Sequence, residues 1–208
     1  MIELKVKSVG EYNTNCYLLV ETELCEGILV DSGDEAQEIL DWIGDTSVTR
    51  LLLTHGHPDH VGALQVVRQS LGAKVGIHPA DTEAFSIQAE IGFTQGDVFG
   101  LGEASIEVVH VPGHTPGSVA LKLIETDGFH LALSGDAIFP GGPGHTKTPG
   151  ALVTALESLA RTVFTWSDSV RLYPGHGEST TVGAERADFE AFRDKPLPPD
   201  LCGDVTWR

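Results

Sequence analysis

The sequence predicts an α/β fold in which two β-sheets pack face to face and helices cover their outer surfaces. Strand-like and helix-like segments follow one another in two successive sets, one in each half of the chain. Each set needs a second layer against which it can bury its apolar face. The 208 residues, of which 41% are hydrophobic, suffice for a core of this size. We therefore expect one domain over residues 1–208.

The first half of the chain begins with strand-like segments and continues with helices that alternate with strands. Residues 2–9 alternate apolar and charged side chains, and turn-forming glycine and asparagine residues follow, which favours an antiparallel start. Asp34 can cap a first helix, and Gly72 is a typical helix terminator. The predicted elements are strands at 2–9, 16–21 and 27–31, a helix from about Asp34 to Gly44, the short apolar strand Leu51–Leu53, a helix from about Asp59 to Gly72 and a strand at 75–77.

The second half of the chain follows a glycine-containing segment, residues 86–104, whose weak periodicity predicts a loop excursion. Beyond this segment the pattern returns to strands followed by helices. The tail from Lys195 contains three prolines and predicts a surface ending over about 195–208. The predicted elements are strands at 105–111, 118–124, 129–134 and 170–173 and helices at about 150–164 and 181–193.

Composition excludes several classes of partner. Thirteen basic and thirty acidic residues give a formal charge of −17, which repels nucleic acid and anionic membrane surfaces. No apolar run approaches the ~20 residues that cross a bilayer, and the N-terminus lacks a secretory signal, so we expect a cytoplasmic protein. Cys16, Cys25 and Cys202 lack disulfide or metal spacing; the first two are expected to be small core fillers and the third a tail residue. A small-molecule substrate remains as the expected partner, and the sequence leaves the oligomeric state open.

The segment His55-Gly56-His57-Pro58-Asp59-His60 carries four potential metal ligands within six residues, where an apolar strand stops and a helix starts. Two histidines separated by one residue can face one ion from an extended loop, while Asp59 and His60 can turn toward a second ion. Imidazole and carboxylate are the ligand types that Zn²⁺ and related divalent metals prefer. Packing such groups together without a metal would desolvate several polar side chains. The density of this motif therefore indicates a metal site.

Three further motifs each present one candidate ligand on a glycine-containing turn at the end of a strand-like segment. They are Pro112-Gly113-His114-Thr115-Pro116-Gly117-Ser118, Ser134-Gly135-Asp136 and Tyr173-Pro174-Gly175-His176-Gly177. Strand ends can aim side chains at a shared point, and glycine permits the close backbone approach that a crowded site needs. Each motif alone is more often a surface turn. In this order, and together with the first motif, the three motifs are highly specific for a metal site.

These motifs resemble those of the metallo-β-lactamase superfamily and, within it, the glyoxalase II-like hydrolases. The resemblance extends from Asn15-Cys16-Tyr17 and Leu29-Val30-Asp31-Ser32-Gly33 to Pro174-Gly175-His176-Gly177. It implies an αββα sandwich, with two mixed β-sheets packed face to face, helices outside and the site at one edge of the sheets. By this similarity, a first metal would be bound by His55, His57 and His114, a second by Asp59, His60 and His176, and Asp136 would bridge both.

The resemblance implies a binuclear metal-dependent hydrolase that uses a metal-bridging hydroxide. The expected cofactors are two divalent metal ions, with Zn²⁺ favoured and Fe or Mn as alternatives. A metal lowers the pKa of its bound water to about 7, so neither a serine nor a cysteine nucleophile is required. Asp59 is the candidate catalytic residue, because it could orient the nucleophile and carry its proton to the leaving group. The expected substrate is a small thioester or ester, as for hydroxyacylglutathione hydrolases.

Other members of the superfamily provide alternatives. Glyoxalase II enzymes typically carry an additional C-terminal helical region, whereas only about 32 residues follow His176 here. A persulfide dioxygenase with one iron can retain the whole motif, and it is the main alternative. A β-lactamase would generally lack an aspartate at Asp136, and a diiron flavoprotein would replace His57 with glutamate. An RNA-processing nuclease would need a basic arm.

Several residues near the motifs have two interpretations each. Asp31 could orient a ligand imidazole, or it could be a turn or helix-capping aspartate. His145 lies in the glycine- and proline-rich loop 139–148 and could contact substrate, or it could be an exposed loop histidine. Whether this loop and residues 86–104 shape the substrate pocket is left open. His78, His110 and His130 lie away from the ligand motifs and are expected to be structural.

Overall fold

In the computed structural model, which describes residues 1–207, a first sheet of six strands contains the strands of the N-terminal half in sequential order. Its first three strands pair antiparallel, and each of the next three pairs parallel to the strand before it. The parallel strands are separated by the crossovers that such pairing requires. The strands are β1 (Ile2–Val9), β2 (Thr14–Glu21), β3 (Glu26–Val30), β4 (Ser47–Leu52), β5 (Lys74–Ile77) and β6 (Ile91–Gly92).

A second sheet of six strands is built from the C-terminal half, and a short hairpin lies beside it. The strands of this sheet are β7 (Val98–Leu101), β8 (Ala104–His110), β9 (Val119–Glu125), β10 (Gly128–Gly135), β13 (Arg171–Pro174) and β14 (Thr180–Thr181). Four of them form an antiparallel run from β7 to β10; β13 then pairs parallel to β10, and β14 closes the edge antiparallel to β13. The hairpin pairs β11 (Ile138–Phe139) with β12 (Gly142–Pro143).

Helices cover the outer face of each sheet. They are α1 (Ala36–Ile43), α2 (Pro58–Val61), α3 (Leu64–Leu71), α4 (Pro79–Phe85), α5 (Pro149–Arg161) and α6 (Val182–Arg193), with a 3-10 turn at Val163–Thr165. Ile39 of α1 and Val67 of α3 are buried on the first sheet, and Leu159 of α5 and Phe189 of α6 belong to the cluster on the second. None of the described helices combines the length and apolar character needed to cross a bilayer.

A third apolar cluster fills the space between the two sheets. Ile28 and Leu52 contribute to it from the first sheet, and Leu121 and Leu133 from the second. All four side chains are essentially inaccessible to solvent. The αββα arrangement expected from the sequence is therefore confirmed, since one apolar layer joins the sheets and two further layers join each sheet to its helices.

The two sheets meet at the edge where the ligand motifs leave the strands. The amide of Asn15 donates to the carbonyl of Gly175 at 2.7 Å, and the amide of Gly175 donates to that of Gly135 at 3.0 Å. On the other side, the amide of Val119 donates to the carbonyl of Thr54 at 2.9 Å. These hydrogen bonds bring residues from both sheets into one backbone network.

The helix expected from Asp59 to Gly72 is divided into α2 and α3. The amide of Ala63, at the division, donates outside the helix to the carbonyls of Ser32 and Gly33. Gly72 ends α3 in the left-handed region, as its residue type predicts. The first helix also begins later than expected, because Glu35, with a φ of 65°, occupies the position before α1 that Asp34 was expected to fill.

The glycine-containing segment 86–104 is not the continuous loop that its weak periodicity predicts. It contains β6 and β7, and it ends with the first residue of β8. Just before it, α4 begins at Pro79, a residue favoured at the first helical position, but the sequence pattern did not single out this helix. These short elements depend on pairing with β5 and β8, which a local pattern cannot reveal.

The prediction that residues from about 195 to 208 form a surface ending is wrong for the last residues that the structure describes. Positions 195–200 are largely exposed, but Val205 and Trp207 are buried against the outer face of the second sheet. Of the three cysteines, Cys16 is buried as expected, whereas Cys25 is exposed in the turn before β3. Cys25 has a φ of 52°, so the turn conformation rather than core packing determines its position.

Candidate metal centre

The first motif crosses the edge of the first sheet between β4 and α2. His55 is completely buried, and its ring packs edge-on against that of His57, with centroids 4.9 Å apart. Gly56 lies between them because a Cβ at this position would lie 2.5 Å from Cδ2 of Phe85. The missing side chain lets the loop pass close to α4, so that both histidines can turn toward the same side.

The other three ligand motifs leave strands of the second sheet. His114 follows β8, Asp136 follows β10, and His176 follows β13. Gly175 precedes His176 at a confined position, because a Cβ there would lie 2.1 Å from Oδ1 of Asp136. Any larger residue would therefore displace the Asp136 carboxylate.

The structure brings all seven predicted ligands together: two groups of three side chains lie side by side, and a third group, of His55, His60 and Asp136, overlaps both. In the first, Nε2 of His114 lies 3.3 Å from Nε2 of His55 and 2.8 Å from Nδ1 of His57. The ligand atoms of this group all lie within 4.8 Å of one another. Three imidazole nitrogens therefore face one point, as the sequence predicts.

The second group lies next to the first. Nε2 of His176 is 3.2 Å from Oδ2 of Asp59 and 3.3 Å from Nε2 of His60. His60 is fully buried, whereas Asp59 and His176 are partly accessible at the mouth of the site. This group therefore combines two imidazoles with one carboxylate.

Asp136 contacts both groups. Its Oδ1 lies 3.3 Å from Nε2 of His60, and its Oδ2 lies 3.5 Å from Nε2 of both His114 and His176. Oδ1 is buried and has no hydrogen-bond partner. A buried carboxylate oxygen without a donor is costly unless a cation balances it. This orphaned atom is the observation that fits a bridging metal ligand best.

The histidine rings are oriented by acceptors outside the site. Nδ1 of His60 lies 2.8 Å from Oδ2 of Asp31, Nδ1 of His114 lies 2.9 Å from the carbonyl of His145, and Nδ1 of His176 lies 2.9 Å from the carbonyl of Tyr12. Carbonyl and carboxylate oxygens only accept, so each Nδ1 carries the proton.

In a neutral ring oriented in this way, Nε2 presents a lone pair to the centre of the site. Lone pairs about 3.3 Å apart repel one another, but this is also roughly the separation of two nitrogens bound to one tetrahedral Zn²⁺ at ~2.0 Å. The observed Nε2 separations of 3.3 Å agree with that value. The donor set therefore fits divalent metal ions, while the assignment of individual ligands stays a prediction.

The two groups differ in charge when no metal is considered. Burial lowers the pKa of His55 and His114, and it lowers the pKa of His57 to about 4. Burial also opposes the charged forms of His60 and His176, but the adjacent carboxylates outweigh it and raise the pKa of each to about 10. The first group is therefore neutral at neutral pH, and the second carries protons that a metal would displace.

The carboxylates of the site remain ionised. Burial opposes ionisation of Asp136, but the neighbouring His176 and His60 imidazoles hold its pKa well below the usual range. The hydrogen bond from His176 likewise lowers the pKa of Asp59. Both groups are therefore anionic at neutral pH, as metal ligation requires.

Asp31 orients the site from outside rather than capping a helix. Its Oδ1 accepts from the amide of Thr54 at 2.8 Å, and its Oδ2 accepts from the Thr54 hydroxyl at 2.7 Å as well as from His60. Nδ1 of His55 lies 3.1 Å from the same Thr54 hydroxyl. Asp31 thus holds His60 directly and His55 through Thr54, which is the role that carboxylates often take around metal-binding imidazoles.

Asp81 holds two of the ligand loops together, although no sequence motif singles it out. This carboxylate at the start of α4 is fully buried. It accepts from the amide of Gly56 at 2.9 Å, from the amide of Gly117 at 2.6 Å and from the hydroxyl of Thr115 at 2.8 Å. It therefore fixes the loop of His57 to the loop that follows His114.

His145 contributes through its backbone. Its carbonyl accepts from His114, whereas its half-exposed ring faces Asp204 at 3.0 Å. A contact between this ring and substrate stays a prediction. The loop that contains His145 also supplies Lys147, whose Nζ lies 6.0 Å from the centroid of the Phe85 ring.

Two phenylalanine rings pack against ligand histidines. The Phe85 ring packs edge-on against His57 with centroids 5.2 Å apart, and the Phe139 ring stacks on His176 with centroids 6.3 Å apart.

Of the histidines expected to be structural, His78 and His110 stack on each other with centroids 4.2 Å apart. His130 is exposed and lies beside Asp127.

Comparison with known proteins identifies the family. The model of the metallo-β-lactamase superfamily matches residues 9–176, a span that contains all seven predicted ligands. This chain belongs to the metallo-β-lactamase superfamily. It is 31% identical to the hydroxyacylglutathione hydrolase GloC of Haemophilus influenzae, over 89% of this chain and 95% of that protein.

Two solved structures share the fold of this chain. The B3 metallo-β-lactamase BLEG-1 superposes with a TM-score of 0.79 at 25% identity, over 89% of this chain and 97% of that one. TTHA1623, determined in a di-iron-bound form, superposes with a TM-score of 0.72 at 30% identity, over 88% of this chain and 96% of that one. As a member of the superfamily, the protein is a metal-binding hydrolase of the metallo-β-lactamase fold.

Proposed function

We propose that the protein hydrolyses a small thioester or ester with two divalent metal ions, Zn²⁺ being favoured over Fe or Mn. The observation that carries this proposal is Asp136, which contacts both ligand groups and has a buried oxygen without a hydrogen-bond donor. One carboxylate between two sets of ligands is suited to a binuclear centre. The ligands would be His55, His57 and His114 for one ion, Asp59, His60 and His176 for the other, and Asp136 for both.

Bound metal ions would supply hydroxide at neutral pH and polarise the substrate carbonyl. The protein's own contribution is to handle the proton. Asp59 is partly accessible and ionised, and its Oδ2 lies 3.2 Å from His176. A carboxylate in this position can accept the proton of the attacking water and transfer it to the leaving group. In the overall reaction, a C–O bond forms and the C–S or C–O bond to the leaving group breaks.

The surroundings of the site favour a small anionic substrate. Lys147 is exposed beside Phe85, next to the first ligand group, in a chain of net charge −17. Its ammonium lies close enough to help lower the pKa of His57, after burial and the neighbouring His114. The similarity to a hydroxyacylglutathione hydrolase favours a thioester with carboxylate groups, for which such a cation is suited.

A substrate panel tests the proposal. Protein loaded with zinc is assayed against a hydroxyacylglutathione thioester, an alkyl ester, a lactone, a phosphodiester and glutathione persulfide. We expect the thioester to be hydrolysed fastest, and we expect Asp59→Asn to lower kcat by about 10²- to 10⁴-fold. Asp41→Asn, on the exposed side of α1, is the matched control and should leave kcat unchanged.

The outcomes distinguish two activities. No hydrolysis of any ester or thioester by the zinc-loaded protein would contradict the proposal. One iron per chain, together with oxygen consumption on the persulfide, would replace the proposed hydrolase with a persulfide dioxygenase. Metal content measured on the Asp59→Asn protein separates loss of proton transfer from loss of the second ion.

A further inference from the structure

The last described residues of the chain run along the loop that follows Asp136. The amide of Gly203 donates to the carbonyl of Thr146 at 2.8 Å, and the amide of Thr146 donates to the carbonyl of Gly203 at 3.1 Å. This reciprocal pair forms an isolated antiparallel bridge. Thr146 is fully buried, whereas Gly203 is partly exposed. We refer to residues 203–207 as the C-terminal segment.

One peptide group connects the C-terminal segment to a predicted metal ligand. The peptide between His145 and Thr146 has its N–H bonded to Gly203, and its carbonyl accepts from Nδ1 of His114 at 2.9 Å. Because the peptide group is planar, fixing the direction of its N–H also fixes the direction of its carbonyl. The bridge to Gly203 therefore sets the position of the acceptor that orients the His114 ring.

Further contacts hold the C-terminal segment in place. The indole N–H of Trp207 donates to Oε2 of the buried Glu185 at 3.0 Å, and its amide donates to the carbonyl of Gly141 at 2.9 Å. The same Glu185 oxygen accepts from the amide of Gly141 at 2.9 Å. Asp204 faces the ring of His145. The C-terminal segment is thus fixed to α6 through Glu185 and to the loop after Asp136 through Gly141 and His145.

We propose that the C-terminal segment is part of the metal centre, in that it positions His114 for metal binding through the His145–Thr146 peptide. The inference rests on the proposed function only in requiring that His114 binds metal. A hydrogen bond donated by a peptide N–H also strengthens the acceptor at the carbonyl of the same peptide. A stronger acceptor on Nδ1 makes Nε2 a better metal ligand, and it fixes the ring orientation.

Gly203→Ala tests the inference with a closely matched control. Gly203 has a φ of +90°, and the nearest atom to an added Cβ is 4.0 Å away, so the substitution strains the backbone without a steric clash. Gly96 has a φ of +86° and equally open space, and its amide also donates to a backbone carbonyl, that of Val108. Gly96→Ala should therefore produce a similar loss of folding stability at a position whose hydrogen bond goes to Val108 and not to the His145–Thr146 peptide.

Two readouts separate positioning from stability. Zinc affinity is measured by competition with a chromophoric chelator, and the imidazole nitrogens of the metal-free protein are observed by ¹⁵N NMR. We expect Gly203→Ala to weaken zinc binding by about tenfold, and we expect the His114 signals to lose the character of a single Nδ1-protonated form. Gly96→Ala should leave both unchanged. Trp207→Phe, which keeps a ring but removes the indole N–H, should weaken zinc binding by a smaller factor.

The results separate this inference from the proposed function. If wild-type protein binds no zinc, the proposed function is wrong, while the NMR comparison still tests the positioning of His114. Equal zinc affinities for the wild-type, Gly203→Ala and Trp207→Phe proteins would overturn the inference and leave the proposed function intact. A loss of affinity in Gly96→Ala equal to that in Gly203→Ala would also overturn it, because the effect would then follow stability alone.

Discussion

Replacing Asp81 by asparagine should destabilise the protein because the carboxylate accepts three hydrogen bonds in a fully buried position. Gly56 and Gly117 donate from their amides, and Thr115 donates from its hydroxyl. An asparagine side chain has a single acceptor oxygen, and its NH₂ group can only donate. One of the two amide donors must then face the asparagine NH₂ group, at a position that is fully buried.

The size of the effect follows from the lost interaction. A hydrogen bond to a charged group contributes about 1.5–3 kcal/mol, and an unpaired buried donor costs about 1–3 kcal/mol. Because the loops can relax, we take about 3 kcal/mol for Asp81→Asn, less than the sum of the upper values. For a protein of 150–250 residues, this corresponds to a fall in Tm of roughly 6–12 °C.

Urea and thermal unfolding of the metal-free protein measure the change. Asp41→Asn is the control, since Asp41 is exposed and its side chain accepts a hydrogen bond from Gln37 on the same helix. It should change the free energy of unfolding by less than about 0.5 kcal/mol. If the free energy of unfolding of the Asp81→Asn protein lies within about 1 kcal/mol of the wild-type value, the reasoning is refuted, because the donors would then have found other partners.

Three further predictions concern reactivity, metal binding and specificity. Burial raises the pKa of Cys16 to about 12, so an alkylating reagent at mildly basic pH should modify only the other two cysteines, with mass spectrometry showing all three modified after unfolding. His60 and His176 hold protons at neutral pH, whereas the first ligand group does not, so binding of the second ion displaces two protons. Lowering the pH by one unit should therefore weaken the affinity for the second ion about 100-fold and the affinity for the first ion far less. Zinc titrations at several pH values in which both affinities fall in parallel would contradict this. Lys147→Met should lower kcat/KM for an anionic thioester relative to a neutral one by about threefold to fivefold, whereas Lys74→Met on β5 should not.

The sequence predicts the convergence of the site because its signals are local. His55 and His57 stand on one short loop, and the other three motifs each stand where a strand ends. Strand ends of a packed pair of sheets meet at a common edge, so the alternation of strands and motif loops indicates where the ligands gather. The layered fold follows from the same alternation together with the apolar pattern of the strands.

The sequence does not reveal the contacts that support the ligands. Asp81 lies 25 residues from Gly56 and 36 residues from Gly117, and no local pattern links an aspartate at the start of a short helix to either loop. The bridge between Thr146 and Gly203 joins positions that are similarly distant. The proline-containing tail has the composition of a surface segment, but the indole of Trp207 finds a buried carboxylate on α6, and this contact outweighs the local tendency.

The central claim is that seven side chains hold two metal ions with Asp136 between them. Metal analysis of protein equilibrated with zinc and freed of excess ions by gel filtration tests it directly, on the wild type and on Asp136→Ala. The predicted result is two ions per wild-type chain and at most one per Asp136→Ala chain. A wild-type chain with fewer than two ions, or an Asp136→Ala chain that retains two, would contradict the claim.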